Sequence, residues 1–296
     1  MRAAALCAIA LLLALVVAPP VLAASVLLAA LHDAGHVLTF ALIAAMLCLF
    51  VEPRGTGLAT FFAVVAALAV GTEVAQPFFA GADTLEVASP GDVGRDLLGA
   101  AIGALAWSAV RRRRRRLWIP AAVLLAAGLG PLAFTGWAYA QRAMHPQVVW
   151  EAGRATWQVF LEAPIEGRVE RGGGRLRFTA TGDSYAGLSI IEPPPDWRGY
   201  DALRIALANP GATPIRINVR IDDRPQDTEY EERFNRERTV PAGTSLAWRI
   251  PLADIERGPA GRALDLARIA RVVVFLSPGQ RTAAFDLEGL RLEHAP

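Results

Sequence analysis

The sequence predicts a membrane α-helical bundle of about five transmembrane helices, followed by an all-β jelly-roll sandwich. Two observations carry this. Residues 1–110 are dominated by Ala, Leu and Val, with Arg2, Arg54 and Arg95 as their only cations. Residues 145–296 are polar and mixed, and short stretches alternate polar and apolar side chains with the period of a half-buried strand. The expected division is a four-helix transmembrane domain over 1–110, a cytoplasmic polyarginine loop over 111–116, a fifth helix over 117–140 and an extracytoplasmic sandwich over 146–296. At 296 residues each part has ordinary domain size.

Charge and cysteine usage exclude several classes. All 30 basic residues are Arg and none is Lys, which reads as the codon bias of a GC-rich genome. The formal net charge is +2, and six positive charges form one run, Arg111 to Arg116. Without that run nothing resembles a nucleic-acid footprint, so no nucleic acid is expected as a partner. Cys7 and Cys48 both lie in apolar segments, which leaves the polar half without a disulfide framework or a cysteine-based zinc site. No cofactor is evident.

The first apolar segment opens over residues 4–18 and is interrupted by Pro19 and Pro20. The following VLA-AS resembles a signal-peptide cleavage site, so a cleaved segment and an uncleaved first helix both stay open. Further spans are expected at 35–51, 58–79, 93–110 and 117–140. Each has about the 17–25 residues that cross a hydrocarbon core. Arg111–Arg116 should remain cytoplasmic by the positive-inside rule. Asp33, His36 and the loop between the third and fourth spans then fall outside, as does everything beyond residue 140.

Polar residues interrupt this apolar half, where a charge costs a few kcal/mol unless it pairs or lines a cavity. Gly71 to Gly103 carries Glu73, Gln76, Asp83, Glu86, Asp92, Arg95 and Asp96, and Asp33 and His36 precede it. Asp33 and His36 are three apart, as are Glu73 and Gln76, so each pair shares a helix face. Asp92, Asp96, Gly99 and Gly103 form one stripe, and Gly99-x-x-x-Gly103 permits close helix approach. His32 reads as an interfacial residue.

Asp33-x-x-His36 opening a span, Glu73-x-x-Gln76 ending the next, then Asp92 and a Gly-x-x-x-Gly helix, resemble the VanZ-like membrane family over roughly residues 10–110. Glu86 stands where that family has an Arg, with Arg95 as the substitute, and Asp96 stands where it has an Asn. The resemblance implies a bacterial envelope protein of the inner membrane, linked to resistance against the glycopeptide teicoplanin. Its biochemical activity is poorly defined.

The polar set is expected around an outward-facing pocket with ligand candidates Asp33, His36, Glu73, Gln76, Asp92 and Asp96. His36, Glu73 and Asp92 are the candidates for acid–base catalysis near neutral pH. One His with two or three carboxylates can also hold a divalent metal, and the same residues can serve only as interhelical hydrogen bonds.

In the second half, strands are expected at 175–181, 202–208, 214–221, 247–251 and 283–292, with a short helix or turn at 264–269. Gly172–Gly174, Pro193–Pro195, Asn209-Pro210-Gly211 and Pro241-Ala242-Gly243 punctuate them. The order from Trp197-Arg198-Gly199-Tyr200 through Ile221-Asp222-Asp223, Tyr230-x-x-Arg233-Phe234 and the final FDLEGLRL is similar to carbohydrate-binding jelly rolls of the galactose-binding-like superfamily. Sugar recognition needs an aromatic platform with planar polar groups, and the candidates are Trp197, Tyr200, Asp223, Tyr230 and Arg233. Trp197 and Tyr200 can equally pack the sandwich edge. The charged run PQDTEYEERFNRER can equally be a solvated loop. Such sandwiches often carry a structural calcium, for which the sequence assigns no ligand set.

Three readings of function follow. The chain recognises an envelope glycan or lipid-linked sugar at the bilayer; or its bundle enzymatically modifies a lipid-linked glycan; or it is a non-catalytic envelope scaffold.

Overall fold

The computed structural model describes residues 2–17, 25–79, 90–223 and 232–294. Asp83, Glu86 and Tyr230 lie outside this set, as does the side chain of Gln76 on the third helix. The chain divides into two compact units, Met1–Gly136 and Trp137–Pro296.

Among the described residues five α-helices precede the strands: α1 (Arg2–Val17), α2 (Val26–Leu47), α3 (Thr56–Phe79), α4 (Pro90–Arg111) and α5 (Trp118–Met144). Four of them, α2 to α5, are long and apolar enough to cross a membrane. The 16 residues of α1 give roughly 24 Å of helix, short of a hydrocarbon core about 30 Å thick.

Two boundaries differ from expectation. The second span begins at Val26 rather than at residue 35. Ser25 adopts an extended conformation and its hydroxyl accepts the Leu28 N–H at 3.2 Å, a serine N-cap that starts the helix there. Asp33 and His36 therefore lie inside α2 instead of opening a span. The fifth helix, expected to end at residue 140, continues to Met144, and the first strand begins at Val148.

In the first unit, α2 buries Ala34, His36, Val37, Phe40, Ile43 and Ala44, while Leu31, Leu38 and Leu42 stay exposed. The inward stripe meets α4 at its glycines. A Cβ on Gly99 would collide with the Val37 carbonyl, and one on Gly103 with the Ala41 carbonyl. Without a hydrophobic force between helices in lipid, such backbone proximity is a main source of association.

Among the described residues the second unit is an antiparallel sandwich of ten strands: β1 (Val148–Glu151), β2 (Gly167–Gly172), β3 (Arg175–Ala180), β4 (Gly187–Ile191), β5 (Ala202–Ala208), β6 (Ile215–Asp222), β7 (Phe234–Val240), β8 (Ser245–Pro251), β9 (Arg271–Leu276) and β10 (Ala284–Glu293). One sheet runs β2-β3-β10-β5-β8, with β1 also paired to β10; the other runs β4-β9-β6-β7. From β3 onward every connection except β6 to β7 changes sheet, which is the double Greek key of a jelly roll. A short helix, α6 (Leu252–Glu256), follows β8, and the 264–269 segment is a turn.

Period-two alternation builds the core. Leu176 and Phe178 of β3, Leu203, Ile205 and Leu207 of β5, and Ile215, Ile217, Val219 and Ile221 of β6 point between the sheets.

Candidate functional site

Two places gather polar chemistry. The first is inside the helical unit. His36 of α2, Glu73 of α3 and Asp96 of α4 offer ligand atoms that all lie within 4.8 Å of one another. Their exposures are 2%, 2% and 0%. His36 Nδ1 is 2.8 Å from Asp96 Oδ1. On the other side of the ring, His36 Nε2 is 3.3 Å from His32 Nε2, with the two imidazoles edge-to-face at 4.8 Å. His32, read from sequence as interfacial, thus contacts the cluster.

The remaining bundle candidates form a separate group. Arg95 bridges α2 and α4, pairing with Asp33 at 2.8 Å and with Asp92 one turn before it. Helical spacing suggested one outward-facing pocket containing all of these residues. Instead the helix crossings separate a closed His36–Glu73–Asp96 core from a half-exposed Asp33–Arg95–Asp92 bridge. Asp92, a catalytic candidate beside His36 and Glu73, belongs to the bridge.

The second place is the sandwich surface, where two sequence candidates change role. Trp197 is fully buried and its indole N–H donates to the Pro194 carbonyl at 2.7 Å, so its ring is core rather than a platform for sugar. Gly199, at φ +85°, makes the adjacent turn. Asp223 is also buried and engaged: Arg262 donates to both its oxygens at 2.6 and 2.7 Å, and the Asp265 N–H donates at 2.8 Å. Burial raises the Asp223 carboxyl, but the Arg262 and Asp265 hydrogen bonds outweigh it and hold it below the usual carboxylate range. Tyr200 is half-buried and stacks on His294 at 4.7 Å. Arg233 is half-buried just before β7.

The two outer sheet faces differ chemically. On the β2-β3-β10-β5-β8 sheet, arginines and carboxylates pair with each other. Arg177 donates to both oxygens of buried Asp286 at 2.7 and 2.9 Å, and Arg291 pairs with Glu151 at 3.1 Å. Two depressions touch this sheet. One, of about 200 Å³, lies around Arg204, Glu288 and Arg291. The other, of about 660 Å³, lies between the Asn209 turn and the Gln280 loop. Neither is lined by an aromatic side chain.

The β4-β9-β6-β7 sheet has the complementary pieces. Its register aligns Gly187, Phe275, Asn218 and Glu237 in one row, and Ser189, Val273, Arg220 and Asn235 in the next. Tyr185, 62% exposed, meets Phe275 edge-to-face at 5.8 Å. Gly187 is required beneath them, because a Cβ there would collide with Phe275 and the Val274 carbonyl. Asn218 donates to Ser277 Oγ at 2.6 Å, and Ser277 donates to Glu237 at 2.5 Å. The sequence reading missed this face. Its signal was the outward register of Arg216, Asn218 and Arg220 in β6, legible only once the partner strands are known.

No family model matches the chain, and no curated protein does. Solved structures are similar over about half of it. The structure of PfGH50B shares 17% identity at a TM-score of 0.37, covering 46% of this chain and 22% of that one. An agarase, AgWH50C, shares 12% identity at a TM-score of 0.40, covering 51% and 26%. A family 11 carbohydrate-binding module from Clostridium thermocellum, solved with a β-1,3-1,4-mixed-linked tetrasaccharide, shares 17% identity at 0.34, covering 46% and 83%. The chain spans only about a quarter of the length of the first two. Its jelly-roll assignment rests on its own strand order, and the chain is a helical unit with four membrane-length apolar helices followed by an antiparallel β-sandwich.

Proposed function

We propose that this protein is a membrane-anchored glycan receptor of the bacterial envelope, and that the outer face of the β4-β9-β6-β7 sheet binds the sugar. The observation that carries this reading is the row of Phe275, Asn218 and Glu237, with Tyr185 edge-to-face on Phe275 and Arg220 and Asn235 in the next row. Sugar rings present apolar C–H faces that stack on an aromatic ring, while their hydroxyls both donate and accept. Asn218 and Asn235 carry amides that both donate and accept, Glu237 carries acceptor oxygens, and Arg220 presents a planar guanidinium held in place by its Nε–H donating to Asp222 at 2.8 Å. Neither depression on the opposite sheet is lined by an aromatic side chain.

The finer assignments belong to the same proposal. The VanZ-like order of motifs in residues 10–110 supports placement in the inner membrane and a role in glycopeptide resistance. Arg111–Arg116 supports a cytoplasmic loop, with the sandwich on the periplasmic or extracellular side. An envelope polymer or lipid-linked sugar is then the glycan within reach.

The test is binding of the full chain, in detergent micelles, to a glycan array containing cell-wall fragments and neutral polysaccharides. Tyr185→Ala should weaken binding about tenfold, a loss of about 1.4 kcal/mol of stacking. Wild-type protein that retains no glycan, or a Tyr185→Ala and Asn218→Ala pair that binds as wild type does, overturns the reading.

A further inference from the structure

We infer that His36, Glu73 and Asp96 form a binding site for a first-row divalent transition-metal cation inside the helical bundle. This goes beyond glycan recognition and uses none of the sandwich residues. The three side chains come from three helices, and each presents a ligand atom within 4.8 Å of the others. Zinc-class ions bind imidazole nitrogen and carboxylate oxygen at about 2.0–2.2 Å, so the ligands of a tetrahedral ion stand about 3.4 Å apart, and side-chain rotations must draw the three groups together around it. One imidazole with two carboxylates suits zinc, manganese or iron better than calcium, which favours oxygen ligands.

Asp96 gives the independent argument. Asp96 is completely buried, and while its Oδ1 faces His36, its Oδ2 has no hydrogen-bond partner among the described residues. A lone carboxylate oxygen enclosed in a membrane-spanning bundle is costly, and a cation beside it supplies the missing partner.

His32 completes the arrangement from behind. With a proton on His36 Nε2 donated to His32 Nε2 across 3.3 Å, the His36 Nδ1 lone pair is turned toward the carboxylates and available to the ion. His32 is thus a positioning residue. Three protein ligands leave further coordination positions for water.

The full chain in detergent micelles, stripped with chelator and dialysed against micromolar zinc chloride, should retain one zinc per chain by elemental analysis. Asp96→Asn and Glu73→Gln preserve shape and remove one charge each, and each should lose the ion. X-ray absorption at the zinc edge of the wild-type protein should report nitrogen and oxygen ligands only, a readout that needs no variant to fold. Folded wild type without zinc, variants that retain it in full, or a sulfur-containing shell from Cys7 or Cys48 each overturn the inference. Glycan binding tests a different unit, so failure of one assay is distinguishable from failure of the other.

Discussion

At the scale of single residues, the sandwich is held by a few buried carboxylates whose partners are arginines. Asp223 accepts three hydrogen bonds from Arg262 and the Asp265 backbone. Removing the guanidinium leaves a buried, half-satisfied charge, so Arg262→Ala should cost roughly 3 kcal/mol, read as a lowered denaturation midpoint of the sandwich by tryptophan fluorescence. Asp286, held by Arg177, behaves alike: that hydrogen bond and the charge of Arg177 and Arg175 outweigh burial and hold its carboxyl below the ordinary range. Both folded values are depressed. Their stabilisation is therefore complete above the unfolded aspartate value of about 3.9 and is lost as pH falls below it. The sandwich should keep its melting temperature between pH 7 and pH 5 and lose stability progressively below about pH 4. A thermal melt that is flat across that lower range would refute this. These pairings were not legible in the sequence, because 39 residues separate Arg262 from Asp223 and 109 separate Arg177 from Asp286.

At the scale of elements, the glycines of α4 decide how its helix meets α2. Gly99→Ala places a methyl against the Val37 carbonyl, whereas at Gly94, on the same helix, a Cβ meets nothing within 4 Å. Gly99→Ala should cost about 1–3 kcal/mol by forcing the helices apart, while Gly94→Ala should be neutral or slightly stabilising through helix propensity. Thermal unfolding of the two variants in detergent separates them, and equal midpoints would remove the close-approach argument. The Gly-x-x-x-Gly spacing was readable beforehand, but its partner helix was not. Strands show the same limit. β5 falls at 202–208 as expected because Leu203, Ile205 and Leu207 alternate with outward residues. β9 escaped because Val272, Val273 and Val274 are all buried, which leaves no alternation to read. β7, FNRERTV, reads as a solvated loop because in this edge strand only Phe234 and Val240 are buried.

At the scale of the whole molecule, the arrangement is a membrane-length helical unit and a β-sandwich joined through α5, whose 27 residues amount to about 40 Å of helix. The six arginines before α5 and the proposed outer location of the sandwich make one topological prediction. Reporter fusions after Arg116 and after Pro296 should report opposite sides of the membrane. The same side for both would reverse the placement of the sandwich and remove envelope glycans from its reach.

Composition and periodicity alone determined the two-part organisation, the long apolar helices and the alternating strands, because these depend on neighbours two to four positions away. They also singled out the polar residues that an apolar bundle must account for. Which of those residues meet was decided only by tertiary structure. His36 and Asp96 are 60 residues apart, and the same helix crossing that joins them directs Asp33 and Asp92 to Arg95 instead. Likewise, strand register aligns Phe275 with Asn218 on one face, and the turn before β5 buries Trp197 in the core. Side-chain encounters of this kind depend on how distant elements pack, and no local pattern encodes that.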